Sequence, residues 1–147
     1  MSTIRITKEF GFEAAHALVG YDGKCKHIHG HSYRLFVTLI GKASCADNPA
    51  KEGMMLDFSE LKKIVNKHII DRFDHSLILQ ENYPLKEELQ ANYGNTIVFP
   101  FRPTCENLLS HFAETLEPQL PNNVQLYSIK LSETASSYAE WYKSDNQ

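Results

Sequence analysis

Four histidines between residues 16 and 31 are the part of this sequence whose side-chain types and spacing could do chemistry. His29 and His31 are two residues apart at the start of a predicted strand, so both imidazoles can point to one side of a sheet. His16 ends an earlier predicted strand, and antiparallel pairing would bring it to the same end of the sheet. Three converging neutral imidazoles are a common zinc site that leaves a fourth position open. Three unrelated histidines are the alternative.

Cys25 lies four residues before His29, and three roles are open to it. It could close a metal site as a fourth ligand. It could serve as a nucleophile or base beside an open position, or it could be a small buried apolar residue. Cationic neighbours favour a reactive thiolate. Those neighbours are Lys24, Lys26 and His27.

Two further carboxylates could support acid–base chemistry. Asp74 stands beside His75, and a carboxylate that accepts from one ring nitrogen makes the other nitrogen a better acid or base. Adjacent side chains often point apart, so the pair alone is a weak indication. Glu133 ends a predicted strand, where its carboxylate could accept two N–H groups of a flat heterocycle or could simply be solvated.

Composition limits the class of protein. The chain has 147 residues, 42% of them hydrophobic and 22% charged, which predicts one globular domain over residues 1–147. The net charge of −3 and the lack of a basic run argue against nucleic-acid binding. No apolar stretch approaches the ~20 residues of a membrane span, and the first residues lack a secretion-signal layout. We therefore expect a cytoplasmic protein with no membrane partner.

The cysteines support that expectation. Cys25, Cys45 and Cys105 are an odd number at irregular spacing, which argues against a secreted disulfide framework. Cys45 and Cys105 lack the cationic setting of Cys25, and we expect both to be inert.

The hydrophobic pattern predicts the elements that position these residues. Alternation over 3–16 and 31–42 predicts two strands that pair antiparallel. The remaining strong predictions are a helix over 58–70, a second long helix capped by Thr104, and a terminal hairpin of strands at 123–133 and 137–143.

Residues 79–102 are harder to interpret. Pro84 could open a short helix over 86–91. Residues 96–101 are strand-like, but Pro100 restricts them to an edge or an extended segment.

The order of elements is ββ, helix, helix, ββ. It predicts an α+β fold with a four-stranded antiparallel sheet and two helices on one face. The other sheet face is left uncovered. We expect it to carry aromatic side chains too apolar for open water, which favours an oligomer. These side chains are Tyr33, Phe36, Tyr127, Tyr138 and Trp141.

Six short motifs follow one another along nearly the whole chain. They are FGFEAAH (10–16), Cys25-x3-His29-Gly30-His31, GMMLDFSELK (53–62), FDH (73–75), PTCEN (103–107) and SET (132–134). Each motif is weak alone, but the ordered set resembles the family of 6-pyruvoyl-tetrahydropterin synthases and 6-carboxy-tetrahydropterin synthases. Residues 79–102 are longer than in the shortest members of that family.

The resemblance implies an architecture and a set of roles. It implies the tunnelling fold, whose subunits close a barrel trimer that stacks into a hexamer, with active sites between subunits. The implied zinc ligands are His16, His29 and His31. The implied catalytic groups are the base Cys25, its relay Asp74 and His75, and Glu133, which would anchor the pterin ring. The implied substrate-binding residues beside Glu133 are Thr104 and Glu106.

The spacing between Cys25 and His29 resembles the bacterial 6-carboxy type rather than the animal pyruvoyl type. The resemblance thus implies a zinc-dependent lyase that converts 7,8-dihydroneopterin triphosphate to 6-carboxytetrahydropterin, acetaldehyde and triphosphate. In the family, this product feeds queuosine and other 7-deazapurine pathways. One alternative is 6-pyruvoyl-tetrahydropterin formation without carbon–carbon cleavage. The other is a zinc-binding assembly module without turnover, in which Cys25 would close the site.

Overall fold

Two long antiparallel strands form the centre of the molecule. The computed structural model describes residues 2–43 and 48–147, so Cys45 lies outside the described residues. Strand β1 (Thr3–His16) pairs along its whole length with β2 (His29–Lys42), and His16 lies opposite His29. The predicted antiparallel pairing of the first two strands is therefore confirmed.

The sheet has six strands in the described part of the chain. The other four are β3 (Ser76–Gln80), β4 (Thr96–Phe99), β5 (Val124–Ser132) and β6 (Tyr138–Tyr142). Their order across the sheet is β4-β3-β1-β2-β5-β6. The antiparallel neighbours β1, β2, β5 and β6 are the four predicted strands.

Two parallel strands extend this four-stranded unit. Strand β3 pairs with the last residues of β1, and β4 pairs with β3 as the sheet edge. The edge placement of β4 was predicted, because Pro100 follows it. Strand β3 was not predicted, because the short apolar run of residues 76–80 does not alternate, and its partner residues lie 62 positions away in the sequence.

The helices begin at the predicted caps. Helix α1 (Phe58–Val65) starts after Asp57, whose side chain accepts from the Ser59 amide at 2.8 Å. It continues through a π-helical turn (Asn66–Ile70) into α2 (Asp71–Phe73), slightly beyond the predicted end. Two more helices follow, α3 (Lys86–Asn92) and α4 (Cys105–Leu116). No helix in the described ranges is long and apolar enough to cross a membrane.

One hydrophobic core lies between the sheet and the two longer helices. Leu35, Val37 and Leu39 of β2 face it and are fully buried. Leu61 of α1 and Phe112 of α4 belong to the same cluster. Each such side chain stabilises the fold by roughly 1.5–3 kcal/mol. The predicted packing of two helices on one sheet face is confirmed.

The expected aromatic outer face is only partly correct. Tyr33 is 1% exposed and stacks on Phe12 in the core, because it shares the inward side of β2 with Leu35. Trp141 packs against the same core. Phe36 and Tyr127 do lie on the opposite face. There Lys130 stacks on Phe36 at 5.0 Å, and Arg5 stacks on Tyr127 at 4.0 Å.

Candidate active site

Three imidazoles meet where β1 ends and β2 begins. His16, His29 and His31 each offer one ring nitrogen, and these nitrogens lie within 4.8 Å of one another. The strand register places His16 directly opposite His29, while alternation puts His29 and His31 on one side of β2. Sequence reasoning predicted this convergence. Within the described residues, the metal-competent group holds these three histidines and no cysteine.

Hydrogen bonds orient two of the rings. His16 Nδ1 lies 2.7 Å from the Pro103 carbonyl oxygen, and His29 Nδ1 lies 2.7 Å from the His27 carbonyl oxygen. A carbonyl only accepts, so both Nδ1 atoms carry the hydrogen. Both Nε2 atoms then present lone pairs to each other across 3.0 Å. Facing lone pairs repel unless a cation lies between them, so this donor set fits a metal ion.

The third ring supports the same conclusion. His31 Nε2 is buried and has no hydrogen-bond partner among the described residues. A buried, unpaired nitrogen costs free energy unless a ligand satisfies it. The pKa of His16 is lowered to about 4, chiefly by burial and also by the neighbouring His29 and His31, against an opposing effect of the Pro103 carbonyl. The ring is thus neutral at pH 7, as a metal ligand must be.

Glu133 comes closer to this histidine group than the sequence indicated. Its Oε1 atom lies 3.4 Å from His16 Nε2 and 3.4 Å from His31 Nε2. Its backbone amide donates to the Ser137 carbonyl at 3.1 Å, which fixes the turn between β5 and β6. The Glu133 charge opposes the lowering of the His31 pKa by burial. The carboxylate therefore adds negative charge beside the three imidazoles.

A cavity of about 330 Å³ opens beside the histidine group. It brings together five of the residues singled out from the sequence: His16, Cys25, Thr104, Glu106 and Glu133. Cys25 belongs to a single 3-10 turn (Lys24–Lys26) and is half-buried.

The first turn of α4 forms another wall of this cavity. The Thr104 side chain accepts from the Asn107 amide at 3.2 Å, which caps the helix and places Glu106 in its first turn. Cys105 points its thiol at the Leu131 carbonyl, 3.3 Å away. Burial, with the nearby charges of Glu133 and Glu106, raises the pKa of Cys105 to about 12.

Asp74 and His75 contact each other, as the sequence suggested, but they lie outside the cavity that holds Cys25. Asp74 Oδ2 contacts His75 Nδ1 at 3.1 Å, and Asp74 Oδ1 accepts from the Glu13 amide at 2.9 Å. His75 has a φ of 58°, the backbone region that non-glycine residues rarely adopt, and this conformation lets the neighbouring side chains meet. His75 lines a second cavity, of about 380 Å³, that His31 also borders. It does not line the Cys25 cavity.

Two supporting residues were missed by sequence reasoning. Arg102 lines the Cys25 cavity and donates to the Val19 carbonyl at 2.5 Å. The Asn95 side chain donates toward the carbonyls of Arg72, Asp74 and His75, each at 3.4 Å. Their partners are backbone carbonyls distant in sequence, and no local pattern signals such contacts.

Comparison with known proteins gives the family. The model of the 6-pyruvoyl tetrahydropterin synthase family matches residues 5–144. The chain belongs to this family. A protein of Haemophilus influenzae named 6-carboxy-5,6,7,8-tetrahydropterin synthase is 37% identical over 141 residues, covering 93% of this chain and 97% of that protein. A protein of the same name from Aquifex aeolicus is 33% identical over 161 residues, covering 92% of this chain and 96% of that protein.

Two solved structures have the same fold. The C. elegans 6-pyruvoyl tetrahydropterin synthase superimposes with a TM-score of 0.70 at 25% identity, covering 97% of this chain and 96% of the other. An uncharacterised protein of Wolinella succinogenes has a TM-score of 0.81 at 22% identity, covering 97% and 99%. The predicted tunnelling fold is confirmed, with β3 and β4 as an extension of the four antiparallel strands.

Proposed function

We propose that this chain is a zinc-dependent 6-carboxy-5,6,7,8-tetrahydropterin synthase. It would convert 7,8-dihydroneopterin triphosphate and one water molecule to 6-carboxytetrahydropterin, acetaldehyde and triphosphate. The observation that carries the proposal is the group of His16, His29 and His31 beside a cavity that also holds Cys25 and Glu133. Curated relatives that are 30–37% identical over most of the chain bear this enzyme's name, which supports the same choice of reaction.

The three imidazoles are the proposed zinc ligands. Their Nε2 lone pairs converge while backbone carbonyls hold two of the Nδ1 atoms. Zinc in a site of three histidines keeps an open position and acts there as a Lewis acid on substrate oxygens. Cys25 lies outside the ligand group, which favours a catalytic site over a closed structural one.

Cys25 is the proposed base. It lines the cavity together with His16 of the histidine group, so a substrate side chain in the cavity would lie between the thiol and that imidazole. Removing a proton from carbon requires a positioned base within hydrogen-bond reach. Glu133, Thr104 and Glu106 line the same cavity and offer acceptors suited to the N–H groups of a pterin ring.

The Asp74–His75 pair is the proposed proton relay for a neighbouring copy of the chain. The carboxylate orients the ring, yet the His75 side chain is 79% exposed and faces a cavity without Cys25. An oriented but exposed imidazole is available to a partner surface. We therefore propose a homo-oligomer, a trimer or a hexamer, with active sites between subunits.

The wider setting is also a proposal. We propose a single domain over residues 1–147 that acts in the cytoplasm, in the pathway to queuosine and other 7-deazapurines. The family match over residues 5–144 supports the single domain.

A product assay tests the reaction. Zinc-loaded protein is incubated with dihydroneopterin triphosphate, and acetaldehyde and the pterin product are followed by mass spectrometry. We expect acetaldehyde and a 6-carboxy product in equal amounts. A pyruvoyl product without acetaldehyde would instead show the reaction for which the C. elegans relative is named. No product from folded, zinc-bound protein would favour the assembly module and overturn the proposal.

A further inference from the structure

Arg102 joins two parts of the site that lie far apart in the sequence. Its guanidinium Nη2 donates to the Val19 carbonyl at 2.5 Å, across 83 residues. Its own carbonyl accepts from the Thr104 amide at 2.8 Å and from Asn107 Nδ2 at 2.9 Å. The backbone of Arg102 is therefore fixed to the start of α4, while its side chain reaches the loop after β1.

That loop carries Cys25. The Leu18 amide donates to the Cys25 carbonyl at 3.0 Å, and the Tyr21 amide donates to the Leu18 carbonyl at 3.2 Å. Gly20 has a φ of +77°, and a Cβ built on it would lie 3.3 Å from Arg102 Nη2. The glycine thus provides both the turn and the space for the guanidinium. Two hydrogen bonds, one from Arg102 to Val19 and one from Leu18 to Cys25, therefore connect Arg102 to the backbone of Cys25 through the adjoining residues Leu18 and Val19.

The contact is not explained by charge pairing. Within residues 2–43 and 48–147, Arg102 forms no ion pair with a carboxylate. A guanidinium presents several N–H donors in a rigid plane, so it holds a carbonyl in a defined direction. Arg102 lines the same cavity as Cys25, Thr104 and Glu106, which places this contact at the edge of the proposed substrate site.

We infer that Arg102 is a positioning residue that fixes the Cys25 loop against the first turn of α4. It keeps the thiol at a constant distance from Thr104 and Glu106 across the cavity. Misplacing a reacting group by about 1 Å can cost about 100-fold in rate, so such a contact has a catalytic effect. The catalytic part of the inference rests on the proposed function, in which Cys25 is the base. The restraint on the loop does not.

The test combines local hydrogen exchange with kinetics on zinc-loaded protein. Arg102→Met keeps a long stem without a donor, and Arg102→Lys restores one donor at nearly the same reach. Gly20→Ala presses on the same guanidinium from the loop side and serves as an independent second variant. Arg5→Met removes an arginine from the far end of β1, where it stacks on Tyr127, and is the matched control.

We expect amides in residues 18–27 to exchange at least about tenfold faster in Arg102→Met and Gly20→Ala than in the wild type. Arg102→Lys and Arg5→Met should exchange at about the wild-type rate. The kcat of Arg102→Met should fall about 10- to 100-fold, with KM changed less than about threefold.

Unchanged exchange in residues 18–27 would overturn the inference. A raised KM as the only effect would then mean that Arg102 contacts the anionic substrate directly. If the wild-type protein does not turn over dihydroneopterin triphosphate, the proposed function fails, but exchange still decides whether Arg102 restrains the loop. If Arg102→Met exchanges rapidly along the whole chain, Arg102→Gln, which shortens the stem and removes the guanidinium, decides by the same criterion.

Discussion

At the scale of single residues, hydrogen-bonded orientation distinguishes the histidine group from a chance cluster. The sequence predicted that His16, His29 and His31 meet, because strand alternation and antiparallel pairing are simple rules. It could not predict that the Pro103 and His27 carbonyls hold two of the rings, since backbone partners leave no mark in residue types. The contact of Arg102 with the Val19 carbonyl was missed for the same reason.

Substitutions of Cys25 and Cys105 can be compared directly, because both residues line the same cavity. Cys25→Ala should lower kcat by about 10²–10⁴-fold, the range that a positioned base contributes. Cys105→Ala should retain most activity, because its thiol stays protonated and donates to Leu131. The measurement is steady-state turnover, with zinc content determined for each variant. Equal losses in both variants would contradict the assignment of Cys25 as the base.

His111 should make folding stability depend on pH. Burial among Phe73, Phe99 and Phe101 and the nearby charge of Arg72 lower its pKa below 6.5, and Glu114 opposes them. Below pH 6.5 the unfolded chain therefore binds a proton that the folded chain does not. This contribution to stability is present above pH 6.5 and is lost as pH falls towards the folded-state pKa.

The variant His111→Phe keeps a ring in this cluster and cannot titrate. Its free energy of unfolding should fall less than that of the wild type between pH 7.5 and pH 5, as measured by urea titration at each pH. A pH dependence identical to that of the wild type would show that the imidazole does not titrate in this window.

At the scale of elements, predictability followed the strength of the local pattern. Strand β1 (Thr3–His16) has the predicted bounds, and α4 starts at the predicted cap of Thr104. Strand β3 was missed. It begins directly after His75 and pairs with the last residues of β1, so it determines where the Asp74–His75 pair lies. Parallel pairing of a short buried run depends on distant residues, which sequence periodicity does not record.

Asn95, between α3 and β4, should hold the Asp74–His75 turn. Its side chain faces three carbonyls of that turn, and its own carbonyl accepts from the Leu77 amide at 2.9 Å. Asn95→Ala should destabilise the protein by about 1–2 kcal/mol, because carbonyls lose their donor. It should also reduce turnover, because the strained His75 backbone loses support.

Asn92→Ala is the matched control for Asn95→Ala. Among the residues that the structure describes, the Asn92 side chain donates only to the Glu88 carbonyl within α3, so its loss should leave the turn intact. Urea unfolding and turnover of both variants check the prediction. Equal effects of the two substitutions would show that Asn95 has no special role at the turn.

At the scale of the whole molecule, the proposed catalytic residues of one chain lie at two separate cavities. Cys25 and Glu133 share one cavity, while His75 borders another. The sheet face opposite the helices carries stacked cation–aromatic pairs, such as Lys130 with Tyr138 at 3.9 Å. A barrel of several chains would bring a relay from one chain to the cavity of the next.

Mixing inactive variants tests this division. Cys25→Ala and His75→Ala chains, unfolded together and reassembled in equal amounts, should recover about a quarter of wild-type activity if each site draws on two chains. Cys25→Ala mixed with Glu133→Ala should recover none, because those two residues line one cavity of one chain. No recovery in the mixture of Cys25→Ala and His75→Ala would place Cys25 and the relay of one site within a single chain. Recovery in the mixture of Cys25→Ala and Glu133→Ala would show that Cys25 and Glu133 of one site come from different chains.

The central claim is an open metal centre of three imidazoles beside a free Cys25 thiol. Cobalt(II), which replaces zinc in tetrahedral sites and absorbs visible light, tests it most directly through the absorption spectrum. We predict about one cobalt per chain, a tetrahedral spectrum without thiolate-to-cobalt charge transfer, and a Cys25 that iodoacetamide still alkylates. A charge-transfer band that disappears in Cys25→Ala would mean that the thiol closes the site. That result would contradict the catalytic account.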